Sequence, residues 1–165
     1  MKLSREEAEA FLVEEARLLD EGLFDDWLKL FSTDGFYWLP IVDGSDPGRE
    51  PSLIYDNAQA CAQRVYALTH AEHYAQRPPS RTVRLISNLQ VDGGAEEEGI
   101  VSIRSNLLIL ELRTGDRQQV GLAQQRLIGA RCEHRLRYEE GWKIVLKKVL
   151  LIDRDVPMLN LTFIV

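Results

Sequence analysis

The chain has 165 residues, 45% of them hydrophobic and 28% charged, with a formal net charge of −6. That length implies one ordinary domain, 1–165, able to bury a core without help from a disulfide or a metal. The acidic balance argues against nucleic acid or an anionic membrane as the main partner, and no apolar run approaches the ~20 residues that span a bilayer.

Met1 to Glu7 contains no apolar h-region, so no signal peptide is expected. The only cysteines, Cys61 and Cys132, lie far apart and give no disulfide framework. A reducing cytoplasm is the expected location. Ser4-Arg5-Glu6-Glu7 reads as a capping box. It opens a helix with the stripe Ala8, Phe11, Leu12, Ala16 and Leu19, stopped by Gly22. A second short helix is expected from Phe24 to Phe31. Neither helix can bury its stripe alone.

Phe36 to Val42 is aromatic and β-branched, which predicts a strand with Pro40 at an edge, bulge or end. Asp43 to Ser52 reads as a loop, and Leu53-Ile54-Tyr55 as a very short strand. Asn57 is placed to cap a third helix with the stripe Ala58, Cys61, Ala62, Val65, Leu68 and Thr69, fading near His70–Tyr74. Pro78 and Pro79 then force extended chain.

From Ser80 the period changes to two. Val83, Leu85, Leu89 and Val91 are expected inward, alternating with Thr82, Arg84, Asn88 and Gln90. Turns are expected at Asp92-Gly93-Gly94 with Glu96–Glu98, at Thr114-Gly115-Asp116 and at Glu139-Glu140-Gly141. Between them lie strands with Val101, Ile103, Leu107 and Ile109, and then Ile128, Ala130, Cys132, Leu136 and Tyr138, on the apolar side. A last strand places Trp142, Ile144, Leu146, Leu150 and Ile152 opposite Lys143 and Lys147, ahead of an apolar tail from Val156. The pattern predicts an α+β fold, with N-terminal helices packed on a strongly curved, largely antiparallel sheet. Its shape is a cone whose interior is either filled or left as a pocket.

Several constellations bear on chemistry. His70 and His73 have helical i, i+3 spacing with Glu72 beside them, but sit at a polar helix end where histidine also suits the helix dipole. Cys132-Glu133-His134 supplies half of a Rieske ligand set, and no later cysteine or histidine completes it. Cys61 falls on the buried stripe and reads as packing. There is no nucleophile elbow and no phosphate loop. The enzymatic alternative is general acid–base work in the cone by His134, Tyr138 and Asp34, with Tyr37 or Tyr66 at the rim. The remaining feature is a charged ladder, Arg131, Glu133, Arg135 and Arg137, beside Lys143 and Lys147 on the next strand. Val145, Val149 and Leu151 share the side of those lysines. Together with Phe163 of the tail, these cations are the candidate contact surface for another subunit.

The run Phe11 to Asp20, then Phe24-Asp25-Asp26-Trp27-Leu28 and Tyr37-Trp38-Leu39-Pro40, resembles the opening of the small (β) subunits of bacterial aromatic-ring-hydroxylating dioxygenases. Pro78-Pro79-Ser80-Arg81-Thr82 through Ser87-Asn88 is similar to a second stretch of that family. The resemblance implies a nuclear-transport-factor-2-like, or ketosteroid-isomerase-like, cone of the cystatin-like kind. It also implies a large α subunit carrying a Rieske 2Fe-2S cluster and a mononuclear iron, and an assembly like α3β3 in which the small subunit forms a trimer. It assigns no cofactor and no catalytic residue to the small subunit, whose role would be structural. The alternative is a free-standing isomerase or dehydratase of the same fold, and a roomy pocket with an acid converging on His134 would favour it.

Overall fold

The computed structural model describes residues 2–70, 78–96, 99–113, 125–157, 161 and 163–165. Expectations at His73 and Tyr74, at Glu97 and Glu98, and for the Thr114-Gly115-Asp116 turn lie outside the described residues. Among the described residues three helices, α1 (Arg5–Asp20), α2 (Phe24–Leu28) and α3 (Ala58–His70), accompany six strands. These are β1 (Phe31–Pro40), β2 (Ser52–Asn57), β3 (Arg81–Glu96), β4 (Ile100–Leu112), β5 (Gln125–Tyr138) and β6 (Trp142–Leu151).

Local chemistry sets the helix ends. The Ser4 hydroxyl accepts from the Glu7 amide at 3.1 Å and the Glu7 carboxylate accepts from the Ser4 amide at 2.8 Å, closing the capping box. At the other end Gly22 has φ +71°. The Leu23 amide donates to the Leu18 carbonyl and the Gly22 amide to the Leu19 carbonyl, a Schellman closure. Asn57 caps α3, its side-chain oxygen accepting from the Ala60 amide at 2.9 Å.

The sheet runs in the order β2-β1-β6-β5-β4-β3. β1 lies parallel to β6, and all other neighbours are antiparallel. α1 packs on the inner face, and the core gathers Leu12, Trp27, Tyr37, Leu39, Ile103, Ile109, Leu136, Ile144, Leu151 and Ile164. β5 keeps its expected alternation, with Ile128, Ala130, Cys132, His134 and Leu136 inward.

Four expectations are corrected. The turn expected at Asp92-Gly93-Gly94 lies instead within β3, which runs on to Glu96 with an irregularity between Asp92 and Glu96. The helix expected from Phe24 to Phe31 ends at Leu28, and Phe31 already opens β1. β1 then bulges before Phe36, where Gly35 passes close enough that a Cβ would lie 2.5 Å from the Ile144 carbonyl oxygen. In β3 the phase is reversed at the start: Val83 and Leu85 are exposed, while the Arg84 side chain is only 3% exposed. The cause is the C-terminus of α1. Asp20 accepts from the Thr82 hydroxyl at 2.8 Å and the Arg84 amide at 2.9 Å, and pairs with the Arg84 guanidinium. A bulge at Asn88 (φ 55°) inserts a residue, so that Leu89 and Val91 turn toward the core as expected. In β6 an irregularity opposite Arg135/Leu136 does the same. Ile144 points inward, Val145 is the extra residue, and Lys147, Val149 and Leu151 follow inward while Lys148 takes the other side. One added residue reverses every side chain beyond it, because the strand period is two.

Candidate functional site

The polar centre of the cone is a buried cluster that joins α1, α2, β5 and β6. Glu15 stands in the middle of the α1 stripe, between Leu12 and Leu19, and is buried with them. One carboxylate oxygen accepts from Lys147 Nζ at 2.9 Å and from Trp27 Nε1 at 3.1 Å. The other meets His134 Nε2 at 2.9 Å. The Lys147 ammonium also sits 5.7 Å from the ring centres of Trp27 and Tyr37, within cation–π range.

The electrostatics follow from burial. Desolvation pushes the Glu15 carboxyl up, but Lys147 and then His134 outweigh it and hold the group well below the usual carboxylate range. Glu15 is therefore an anion and only an acceptor, so His134 donates from Nε2. A buried ammonium and a buried carboxylate in contact satisfy each other, and either one alone would be strongly destabilising.

Space decides what this cluster can do. The cavity beside it, lined by Leu12, Ala16, Ile86, Leu107, Cys132 and His134, holds about 20 Å³. That is room on the order of one water molecule and not for an organic substrate, which needs some hundreds of Å³. Trp27, Tyr37, Lys147, Leu39, Leu136 and Ile144 occupy the rest of the interior.

The acid–base set read from sequence does not assemble. His134 is inward as expected, but Tyr138 stands four residues on at the strand end, 47% exposed and edge-on to Trp142 at 5.3 Å. At a strand's rise those two positions are about 13 Å apart. Asp34 is at the surface, where Arg137 grips it through both nitrogens, at 2.6 and 3.1 Å. That guanidinium, with the Ser32 hydroxyl, holds the Asp34 carboxyl far below its ordinary value, which removes it as a proton donor. Tyr37 is not at a rim but fully buried, its hydroxyl bonded to the backbone of Val165. Tyr66 is exposed and stacks on His70 at 4.6 Å.

Burial pushes the thiols of Cys61 and Cys132 up to about 12, as expected for packing residues rather than nucleophiles. Cys132 and His134 do share the inner face, but His134 Nε2 is committed to Glu15. Among the described residues no three His, Cys, Asp or Glu side chains gather as metal ligands.

The candidate contact residues divide. Arg131 and Arg135 lie on the outer face of the sheet. Arg135 pairs with Glu133 at 2.9 Å, and Arg137 with Glu139 at 2.5 Å as well as with Asp34. Lys143 donates to the Lys29 carbonyl at 2.6 Å. Lys147 is corrected to the interior, 2% exposed, for the bulge reason given above. Phe163 is corrected too: it packs in the chain's own core, with the Arg126 guanidinium 6.0 Å from its ring centre. The outer face instead gains Arg104 and Lys148, which with Asn88, Gln90, Asn106 and Arg131 line an open concavity of about 470 Å³.

Glu15 is the residue that sequence reading missed. Its signal was its place, since it continues the Ala8, Leu12, Leu19 stripe and a carboxylate there must find a buried cation.

A family model described as ring hydroxylating beta subunit matches residues 14–158. The beta subunit of benzoate 1,2-dioxygenase of Acinetobacter baylyi is 33% identical over 118 residues, covering 67% of this chain and 68% of that protein. The small oxygenase component of the p-cumate 2,3-dioxygenase system of Pseudomonas putida is 32% identical over 156 residues, covering 93% and 81%. Among solved structures, the beta subunit of the benzoate 1,2-dioxygenase of Burkholderia mallei superposes with a TM-score of 0.75 at 24% identity, covering 99% of both chains. At those levels of identity the superposition speaks for the fold: helices on a six-stranded mixed sheet.

Proposed function

We propose that this chain, which belongs to the ring hydroxylating beta subunit family, serves as the non-catalytic small subunit of an aromatic-ring-hydroxylating dioxygenase. The observation that carries this reading is the filled cone. An isomerase or dehydratase of this fold needs a chamber for its substrate, and here, among the described residues, Trp27, Tyr37, Lys147 and their neighbours pack around Glu15 and His134 and leave about 20 Å³ beside them. The acid at the centre of the cone, Glu15, is paired with Lys147, hydrogen-bonded to His134, and has no reactant to meet.

In this proposal the partner is a large subunit carrying a Rieske 2Fe-2S cluster and a mononuclear iron. Oxygen and the aromatic substrate react there, and substrate choice resides there. This chain's own residues do not fit the cluster. Two cysteines and two histidines are required, whereas Cys132 is buried and His134 is engaged by Glu15. The small subunit works as one domain that acts as a platform, self-associating as a trimer within an assembly like α3β3. Arg131, Arg135, Arg137 and Lys143 are proposed contact residues. No described helix is long and apolar enough to cross a membrane.

Co-expression with a large subunit of an aromatic-ring-hydroxylating dioxygenase tests the reading. The two should co-purify, and ring hydroxylation with a reductase system should require the large subunit and be absent from this chain alone. A chain that stays monomeric at micromolar concentration and ignores the large subunit refutes it.

A further inference from the structure

The segment 163–165 belongs to none of the described helices or strands, yet it is deeply buried: Phe163 is 9% exposed, Ile164 1% and Val165 0%. Buried backbone outside a helix or ladder still needs hydrogen-bond partners, and here side chains supply them. The Tyr37 hydroxyl accepts from the Val165 amide at 3.0 Å and donates to the Val165 carbonyl at 3.3 Å. Arg84 Nη2 donates to the Ile164 carbonyl. These partners stand on β1 and β3, 128 and 80 residues away in the chain. Tyr37 in turn lies edge-on to Trp27 at 5.8 Å, with the Lys147 ammonium 5.7 Å from its ring centre. The segment therefore covers a ring that packs directly on the Glu15 cluster.

A receptor holds an extended peptide in the same way, its backbone fixed by placed polar groups and its side chains in apolar pockets. Phe163 and Leu68 form a shared wall between two clefts of about 450 and 520 Å³. One cleft is lined also by Leu19, Phe24 and Arg84, the other by Ala60 and Ala67. With Phe163 and Ile164 withdrawn, the two join into one groove between α3 and the start of β3. The donors fix what that groove accepts. Arg84 is already neutralised by Asp20, so the N–H that reaches Ile164 matches a neutral carbonyl oxygen and not a second carboxylate. The Tyr37 hydroxyl offers one donor and one acceptor, as a peptide unit requires.

We propose that residues 163–165 are bound as an intramolecular ligand, and that the groove they fill is a binding site for a short apolar peptide segment. The inference goes beyond the small-subunit reading and does not depend on it. The test is fluorescence anisotropy with a labelled peptide of residues 161–165, titrated into the full-length wild type and full-length I164D/V165D. Two carboxylates cannot stay buried without partners, so the variant's own segment leaves the groove. The folded variant should bind the peptide at least about tenfold more tightly than wild type, where the tethered segment competes at high effective concentration. A folded variant that binds the peptide no better than wild type overturns the proposal. Should I164D/V165D fail to fold, Y37F decides by hydrogen exchange. Its Val165 amide should exchange at least about tenfold faster than in wild type while the β5 amides keep their rates. An unchanged rate at Val165, or an equal acceleration in β5, overturns the proposal. Co-purification with the large subunit is read separately. A chain that co-purifies but fails the peptide test loses this inference alone, and one that passes the peptide test but ignores the large subunit loses only the proposed function.

Discussion

Replacing Glu15 with glutamine removes one charge and almost no volume, and it isolates what the buried cluster contributes. Lys147 is 2% exposed and its ammonium contacts the Glu15 carboxylate at 2.9 Å. Without the carboxylate, the ammonium is a buried charge that has lost its one ion-pair partner among the described residues, and losing one member of such a pair costs roughly 3–5 kcal/mol. For a chain of this size each kcal/mol moves the melting temperature by about 2–4 °C, so E15Q should melt roughly 6–20 °C below wild type. Urea unfolding followed by tryptophan fluorescence should show a lower midpoint with an unchanged slope. The double variant E15L/K147M replaces the pair with apolar side chains and should recover most of the loss, since buried pairs are often no better than a packed hydrophobic substitute. An E15Q midpoint within about 1 kcal/mol of wild type would refute the reasoning, because an uncompensated buried ammonium cannot be that inexpensive.

The same carboxylate predicts a pH dependence. Its folded-state pKa lies below its unfolded value near 4.5, so its stabilisation is complete above that value. It fades as pH falls, because the unfolded chain binds the proton first. Urea midpoints should therefore drop from about pH 5.5 downward, and the drop should be shallower in E15Q. Both thiols, pushed up to about 12, should resist a colorimetric disulfide reagent at pH 8 in the native chain and react promptly in denaturant. G35A should destabilise by about 1–3 kcal/mol, since its Cβ would sit 2.5 Å from the Ile144 carbonyl oxygen and backbone must move to admit it. Calorimetry of G35A against wild type reads that directly.

Much of this protein could be read from residue order alone. The capping box at Ser4, the Gly22 stop and the Asn57 cap are local chemistry, complete within a few residues, and each appears as expected. The alternation of β5 was legible because no extra residue interrupts it. The family, too, was carried by short runs in order along the chain. What only the tertiary structure decided is the side of the sheet on which two strands place their residues. β3 begins with Arg84 inward because Asp20, at the end of a helix far back in the chain, accepts its hydrogen bonds. In β6 a single bulge carries Lys147 from an expected outer ladder into the core, where Glu15 receives it. Sequence periodicity records how often side chains alternate, not where an inserted residue reverses them, and it cannot show that a carboxylate and an imidazole 119 residues apart will meet in one hydrogen bond. That pairing sits at the centre of a cone packed by Trp27, Tyr37 and their neighbours, the observation behind the proposed structural role.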